Sequence, residues 1–195
     1  MSDTTDPTQA PASALAVITA EVSAAADALV RGGGKQLEQV ASLLAGADRV
    51  FVHGAGRSGL ALRMTAMRLM HLGLRVHVVG DATTPAIAPG DVLLTASGSG
   101  TTAGIVRAAQ SAVDAGARVA ALTTAGSSPL AELASAVVVV PAAEKLDRSG
   151  TASAQYSGGL FEQTVVLTGD ALFHALWKRS GIDADDLWPR HANLE

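Results

Sequence analysis

The sequence predicts an α/β three-layer sandwich, a five-stranded parallel sheet with helices on both faces. Three observations lead there. Five short runs rich in β-branched residues alternate with helical stretches along the chain. The runs are continuously apolar, as expected of strands covered on both faces. Aromatic residues are only 3% of the chain, so the core has to be built from Ala, Val and Leu, which suit close packing of helices on a sheet.

The elements follow in order. Residues 1–11, rich in Thr, Pro and Asp, read as a mobile tail. Residues 12–195 then form a single domain that includes the C-terminal tail. An Ala-rich helix is expected from Ala12 to Val30, ended by "RGGGK", and a second short helix over residues 35–45. The strands are expected at Arg49–His53, Arg75–Val79, Val92–Ala96, Arg118–Leu122 and Val137–Val140. Between them Leu60, Met64, Met67 and His71 recur at helical spacing, and Ile105 to Ala115 is rich in Ala and Val. In "SSPLAELA" the Ser and Pro stand where a short helix should begin. A last helix is expected from Leu160 to Lys178. Right-handed crossovers would place ligands at the carboxyl ends of the strands, where the strand order switches.

The bulk numbers narrow the function. A net charge of −4 with no block of Lys or Arg gives nucleic-acid binding little electrostatic support. The absence of cysteine excludes disulfides, thiolate metal ligands and a Cys nucleophile, and fits a cytoplasmic protein. No apolar run reaches transmembrane length, and the acidic, polar start is unlike a secretory signal. Neither a membrane nor a nucleic-acid partner is expected.

Two glycine-rich turns carry the chemistry. In "RVFVHGAGRSGLALR", Gly54, Gly56 and Gly59 spell G-x-G-x-x-G directly after a strand, with Asp81 ending a later run, the outline of a dinucleotide fingerprint. The rest of the chain argues against that ligand. Asp81 reads equally well as a turn residue. A compact short-chain reductase needs Lys four residues after a Tyr, whereas the single tyrosine, Tyr156, is followed there by Leu160. Arg57 and Ser58 sit inside the turn instead, where a guanidinium can pair with a substrate anion or bond sugar oxygens; an exposed surface arginine is the plainer alternative.

The second turn is "SGSGTT". Ser97, Gly98, Ser99, Gly100, Thr101 and Thr102 lie between the third strand and a helix, four hydroxyls and two glycines where free N–H groups and the helix dipole favour an anion. Helix capping accounts for one hydroxyl, at most two. The full set reads as a phosphate cradle.

Chemistry on a bound phosphorylated substrate would call for a positioned group that takes and returns a proton. Glu162, at the start of the last helix, is the best candidate, although a first-turn Glu is also explained by the helix dipole. His191 lies in the terminal "WPRHANLE", where a solvated tail is the ordinary expectation. Trp188, Pro189 and Leu194 suggest that this tail docks. No metal-ligand spacing appears among the five histidines.

On "GAGRSG", "MRLMHLG", "GDATTPAI", "SGSGTT", "SSPLAELA", "GLFEQ" and "HANLE" the chain resembles the sugar isomerase (SIS) domain family, over nearly everything from residue 12 on. The resemblance implies a flavodoxin-like sheet, a homotetramer and no cofactor. It implies interconversion of 3-hexulose 6-phosphate and fructose 6-phosphate, a step in the ribulose monophosphate route that handles formaldehyde. It makes Ser97 to Thr102 the phosphate cradle and turns Arg57 and Ser58, beside Gly56, to the sugar. Glu162 becomes the general base, and His191 a group donated across a subunit interface. One departure stands out: Tyr156 and Ser157 occupy positions where relatives often have Pro and Met. A phosphosugar-sensing module without catalysis, or an isomerase for another sugar phosphate, are the alternatives.

Overall fold

The computed structural model describes residues 10–143, 147 and 151–194, so most of the expected N-terminal tail lies outside the described residues. Two helices lead in, α1 (Pro11–Gly32) and α2 (Gly34–Ala45), broken at Gly33. The alternating part follows: β1 (Val50–Gly54), α3 (Gly56–His71), β2 (Val76–Val78), β3 (Val92–Ala96), α4 (Ala103–Asp114), β4 (Arg118–Thr123), α5 (Pro129–Leu133) and β5 (Ala136–Val139). The long α6 (Gly159–Ser180), the short α7 (Ala184–Leu187) and a 3₁₀ turn at Trp188–Arg190 close the chain. All five expected strands are present, with ends shifted by at most one residue. Ser128 caps α5 through the Ala131 N–H, with Pro129 in its first turn, as the sequence suggests.

The sheet is parallel throughout, in the order β2-β1-β3-β4-β5. Alternate residues of each strand enter different cores. Val50, Val52, Leu94 and Leu122 pack with α2, α3 and α6, and Phe51, Leu93, Val119 and Ala121 pack with α4 and α5. Burial on both faces is why the strand sequences carry no polar alternation.

Two elements differ from expectation. The recurring Leu60, Met64 and Met67 do mark a helix, but their side chains are half or more exposed. The buried face of α3 is Ala61, Leu62, Thr65, Ala66 and Leu69. Small residues win that face because α3 lies close against α6: a Cβ placed on Gly169 would fall 2.0 Å from Thr65 Oγ1. The second difference concerns α1, which by length and a mean hydropathy of 1.6 is apolar enough to cross a bilayer. This corrects the reading that no segment reaches that length. Leu15, Val17, Ile18, Val22, Leu29 and Val30 supply most of its hydropathy, and the helix packs on α6 and α2.

Candidate active site

β1 lies between β2 and β3, so the turns after β1 and β3 part on either side of a crevice at the carboxyl edge of the sheet, the switch point where ligands bind in such folds. A cavity of about 280 Å³ opens there. Gly56, Arg57 and Ser58 line it from the first turn, Ser97, Gly98 and Thr102 from the second, and Gly158 and Glu162 from the start of α6.

The three glycines of the first turn divide the work. A Cβ on Gly59 would lie 2.4 Å from the Gly54 carbonyl oxygen, so this pair lets α3 pack directly against β1. Gly56 adopts φ 56°, and a Cβ there would meet nothing within 4 Å. Its left-handed backbone favours glycine, and with no side chain there the backbone borders the cavity directly. Asp81 is held by Arg63 at 2.7 Å and is absent from the cavity lining, so the acidic residue of the dinucleotide outline is engaged elsewhere.

The hydroxyl turn is partly as expected. Thr102 is the N-cap residue of α4, yet its side chain makes no capping bond. Its Oγ1 lies 3.0 Å from Ser97 Oγ instead, a pair of hydroxyls at the cavity wall. Gly98 is fixed from behind, its carbonyl accepting from Thr123 Oγ1 and Thr124 Oγ1. Ser99, Gly100 and Thr101 are not in the lining. Ser99 Oγ accepts from Thr101 Oγ1 at 3.0 Å, and Gly100 packs against Ser128, where a Cβ would fall 1.9 Å from its Oγ. Three of the six residues therefore face the cavity and three shape the turn.

Two features are invisible in sequence spacing. The first is a third helix start. The N-termini of α3, α4 and α6 converge on the cavity through Gly56, Thr102 and Gly158, three partial positive charges in a protein of net charge −4. The second is a contact between distant segments. Arg57 donates its Nε–H to Glu162 Oε2; the carboxylate is 18% exposed and the guanidinium 68%.

His191 is placed elsewhere. Its ring stacks on His71 at 4.0 Å and lies tilted against Trp188 at 4.7 Å, and Arg190 donates to the His71 carbonyl at 2.9 Å. The tail docks as expected, but at the far end of α3. That helix has 16 residues, which puts His71 about 22 Å from Gly56. Burial, then the neighbouring His191 and Arg68, hold the His71 imidazole below its ordinary pKa. His53, next to Gly54 on β1, is also lowered by burial. Among the described residues no group of three His, Asp or Glu is placed to hold a metal ion.

A doubly wound α/β domain with three helix starts, a hydroxyl turn and one carboxylate around a small crevice is a binding domain for a small anionic substrate. The chain belongs to the SIS domain family, whose model matches residues 43–159. It is 55% identical over 170 residues to the 3-hexulose-6-phosphate isomerase of Mycobacterium gastri, covering 87% of this chain and 85% of that protein. The 3-hexulose-6-phosphate isomerase of Bacillus subtilis is 37% identical over 162 residues, 83% and 88% of the two chains. A crystal structure from Methanococcus jannaschii, from which the function of 3-hexulose-6-phosphate isomerase was inferred, superposes with a TM-score of 0.79 at 27% identity, covering 94% and 99%.

Proposed function

We propose that this protein is a cytoplasmic isomerase that interconverts D-arabino-hex-3-ulose 6-phosphate and fructose 6-phosphate. The observation that carries the reading is the meeting, in one small cavity, of three helix N-termini with a single carboxylate at its edge. The first feature suits a phosphate dianion and the second suits proton transfer.

In the proposed reaction the phosphate sits against Ser97, Gly98 and Thr102, and Arg57 and Ser58 bond the sugar oxygens. Glu162 takes the proton from C2 of the 3-ketose. The C–H electrons form the C2–C3 double bond, and the C3 carbonyl oxygen gains a proton, giving the 2,3-enediol. Loss of the O2 proton and return of a proton to C3 then give fructose 6-phosphate. Atoms and charge balance, and no cofactor enters. The Arg57 guanidinium holds the Glu162 carboxylate at the cavity edge and would there offset the negative charge of an enediol oxygen.

His191 would serve the oxygens of a second copy. Leu60, Met64 and Met67 form an exposed apolar stripe that runs from the cavity end of α3 towards the docked tail. Two such stripes packed antiparallel about a two-fold axis would place the His191 end of one helix beside the Gly56 end of the other. The tetramer that the family resemblance implies would be a pair of these dimers. Co-expressing Glu162→Gln and His191→Ala chains should restore activity that each lacks alone. Mixed oligomers as inactive as their parents would remove the crossing.

The direct test is to incubate the protein with 3-hexulose 6-phosphate in deuterated water. Fructose 6-phosphate carrying solvent deuterium at C3 is expected. Binding without turnover would move the protein to the phosphosugar sensors, and turnover of a different sugar phosphate would correct the substrate.

A further inference from the structure

The general base lies on the first turn of α6, and residues 151–157, which lead into that turn, have no sheet or helix of their own. Glu162 N donates to the Gly158 carbonyl at 3.0 Å, and Gly158 itself adopts φ 84°. The residues just before Gly158 set where the first turn of α6 begins, and the backbone freedom of glycine leaves that start loose unless those residues are held. Something must therefore fix residues 153–157.

The fixing group comes from the other end of the sequence. Glu21, on α1, accepts from Ser153 Oγ at 2.7 Å, from the Ala154 N–H at 2.6 Å and from Gln155 Nε2 at 3.0 Å. The network continues inward. Ser153 Oγ also accepts from the Gln155 N–H at 3.1 Å, and Gly159 N donates to the Tyr156 carbonyl at 3.1 Å. One helical turn or two before Glu21, on the same face of α1, Ala14, Val17 and Ile18 wall a second cavity of about 560 Å³. Its opposite wall is Ala154 to Ser157, and it shares Arg57 and Glu162 with the substrate cavity. The Arg57–Glu162 pair is thus a partition with the substrate on one side and this α1-covered space on the other.

We infer that Glu21 is a positioning residue for the isomerisation: its carboxylate straps the 153–157 segment to α1 and so holds Glu162 where it can reach the substrate proton. The inference rests on the isomerase reading above for its chemistry, and on three hydrogen bonds for its geometry. Burial acts to raise the Glu21 pKa, but the donors from Ser153, Ala154 and Gln155 outweigh it and keep the carboxyl below its ordinary value. The strap is consequently charged throughout the neutral range. It also gives an apolar helix a fixed polar tie to the domain, which α1 otherwise contacts mainly through α6.

The experiment compares wild type, Glu21→Ala and Glu21→Gln in steady-state isomerisation, with inorganic phosphate binding and thermal denaturation measured alongside. Displacing a proton-transfer group by an ångström is enough for large losses, so Glu21→Ala should lower kcat by about ten- to a hundred-fold while phosphate affinity stays near wild type. Glu21→Gln, whose single amide oxygen can accept at only one of the two carboxylate positions that Ser153 and Ala154 use, should lose part of kcat, between Glu21→Ala and wild type. A Glu21→Ala protein with wild-type kcat overturns the proposal. So does one whose melting temperature falls while kcat per folded molecule is unchanged. Should Glu21→Ala fail to fold, the Glu21→Gln and Ser153→Ala variants and their double mutant decide: coupled effects on kcat support the strap, and additive ones overturn it. If wild type does not turn over 3-hexulose 6-phosphate, it is the isomerase reading that fails. The strap is then read from amide hydrogen exchange over residues 154–159, expected to be faster in Glu21→Gln and overturned if unchanged.

Discussion

Two arginine–carboxylate pairs flank β1, one at each end, and they are built differently. At the amino end Arg49 grips Asp91 with both Nε, at 3.0 Å, and Nη2, at 2.5 Å, and the Ala88 N–H adds a third donor at 2.8 Å. Asp91 is 1% exposed and its acceptor capacity is largely used. At the carboxyl end Arg57 reaches Glu162 through one nitrogen, and the pair borders a cavity. The first pair ties β1 to the turn before β3 and has nothing left to offer a ligand. The second leaves both partners able to engage one. Saturation of the carboxylate, more than the presence of an ion pair, separates the structural pair from the one proposed to work on a substrate.

The contrast is sharpest at Glu162. Replacing it with Gln should lower turnover by about 10²–10⁴-fold and leave the denaturation midpoint close to wild type. A variant with near-full turnover would break the comparison at its functional end.

Asp91→Asn should do the reverse. Removing one partner of a buried pair costs about 3 kcal/mol, to be measured by chemical denaturation, with turnover per folded molecule preserved. A pH series tests the same pair. Burial acts to raise the Asp91 pKa, but the Arg49 guanidinium and the Ala88 N–H more than offset it and hold it below its ordinary 3.8. A pKa depressed in the folded state means stability present above the unfolded value and lost as pH falls through the folded one. The stability gap between wild type and Asp91→Asn should therefore be full at neutral pH and close in acid below that ordinary value. A gap that does not change with pH would remove the charge from the explanation.

The smallest effect concerns the anion itself. Thr102→Val keeps the shape and deletes one hydroxyl of the Ser97–Thr102 pair. Hydrogen bonds to a charged acceptor contribute about 1.5–3 kcal/mol, so phosphate affinity should fall at least ~10-fold, read by titration calorimetry. Unchanged affinity would confine Thr102 to shaping the turn.

Much of the fold and half of the site are legible in the residues themselves. The strands can be read from continuous β-branched runs, and α5 from its Ser-Pro start. Both glycine turns can be read from composition at strand ends. These signals act over a few residues, through backbone sterics, capping and pleat burial, so spacing along the chain reports them faithfully. Glu21 escapes such a reading because an isolated Glu on an Ala-rich helix carries no local sign of its partners, which stand more than a hundred residues away.

The residues alone settle that this chain alternates strand and helix and that two of its turns suit an anion. Folding adds which turns face each other. Because β1 inserts between β2 and β3, Gly56 and Thr102 share one crevice, and α6 brings Gly158 and Glu162 to the same place from over a hundred residues beyond Arg57. Strand order also sets which side of α3 is buried, leaving Leu60, Met64 and Met67 outside, and docks His191 at the helix end away from the cavity. Such outcomes depend on how entire faces fit together, and close packing of long-range partners leaves no periodic trace in the sequence.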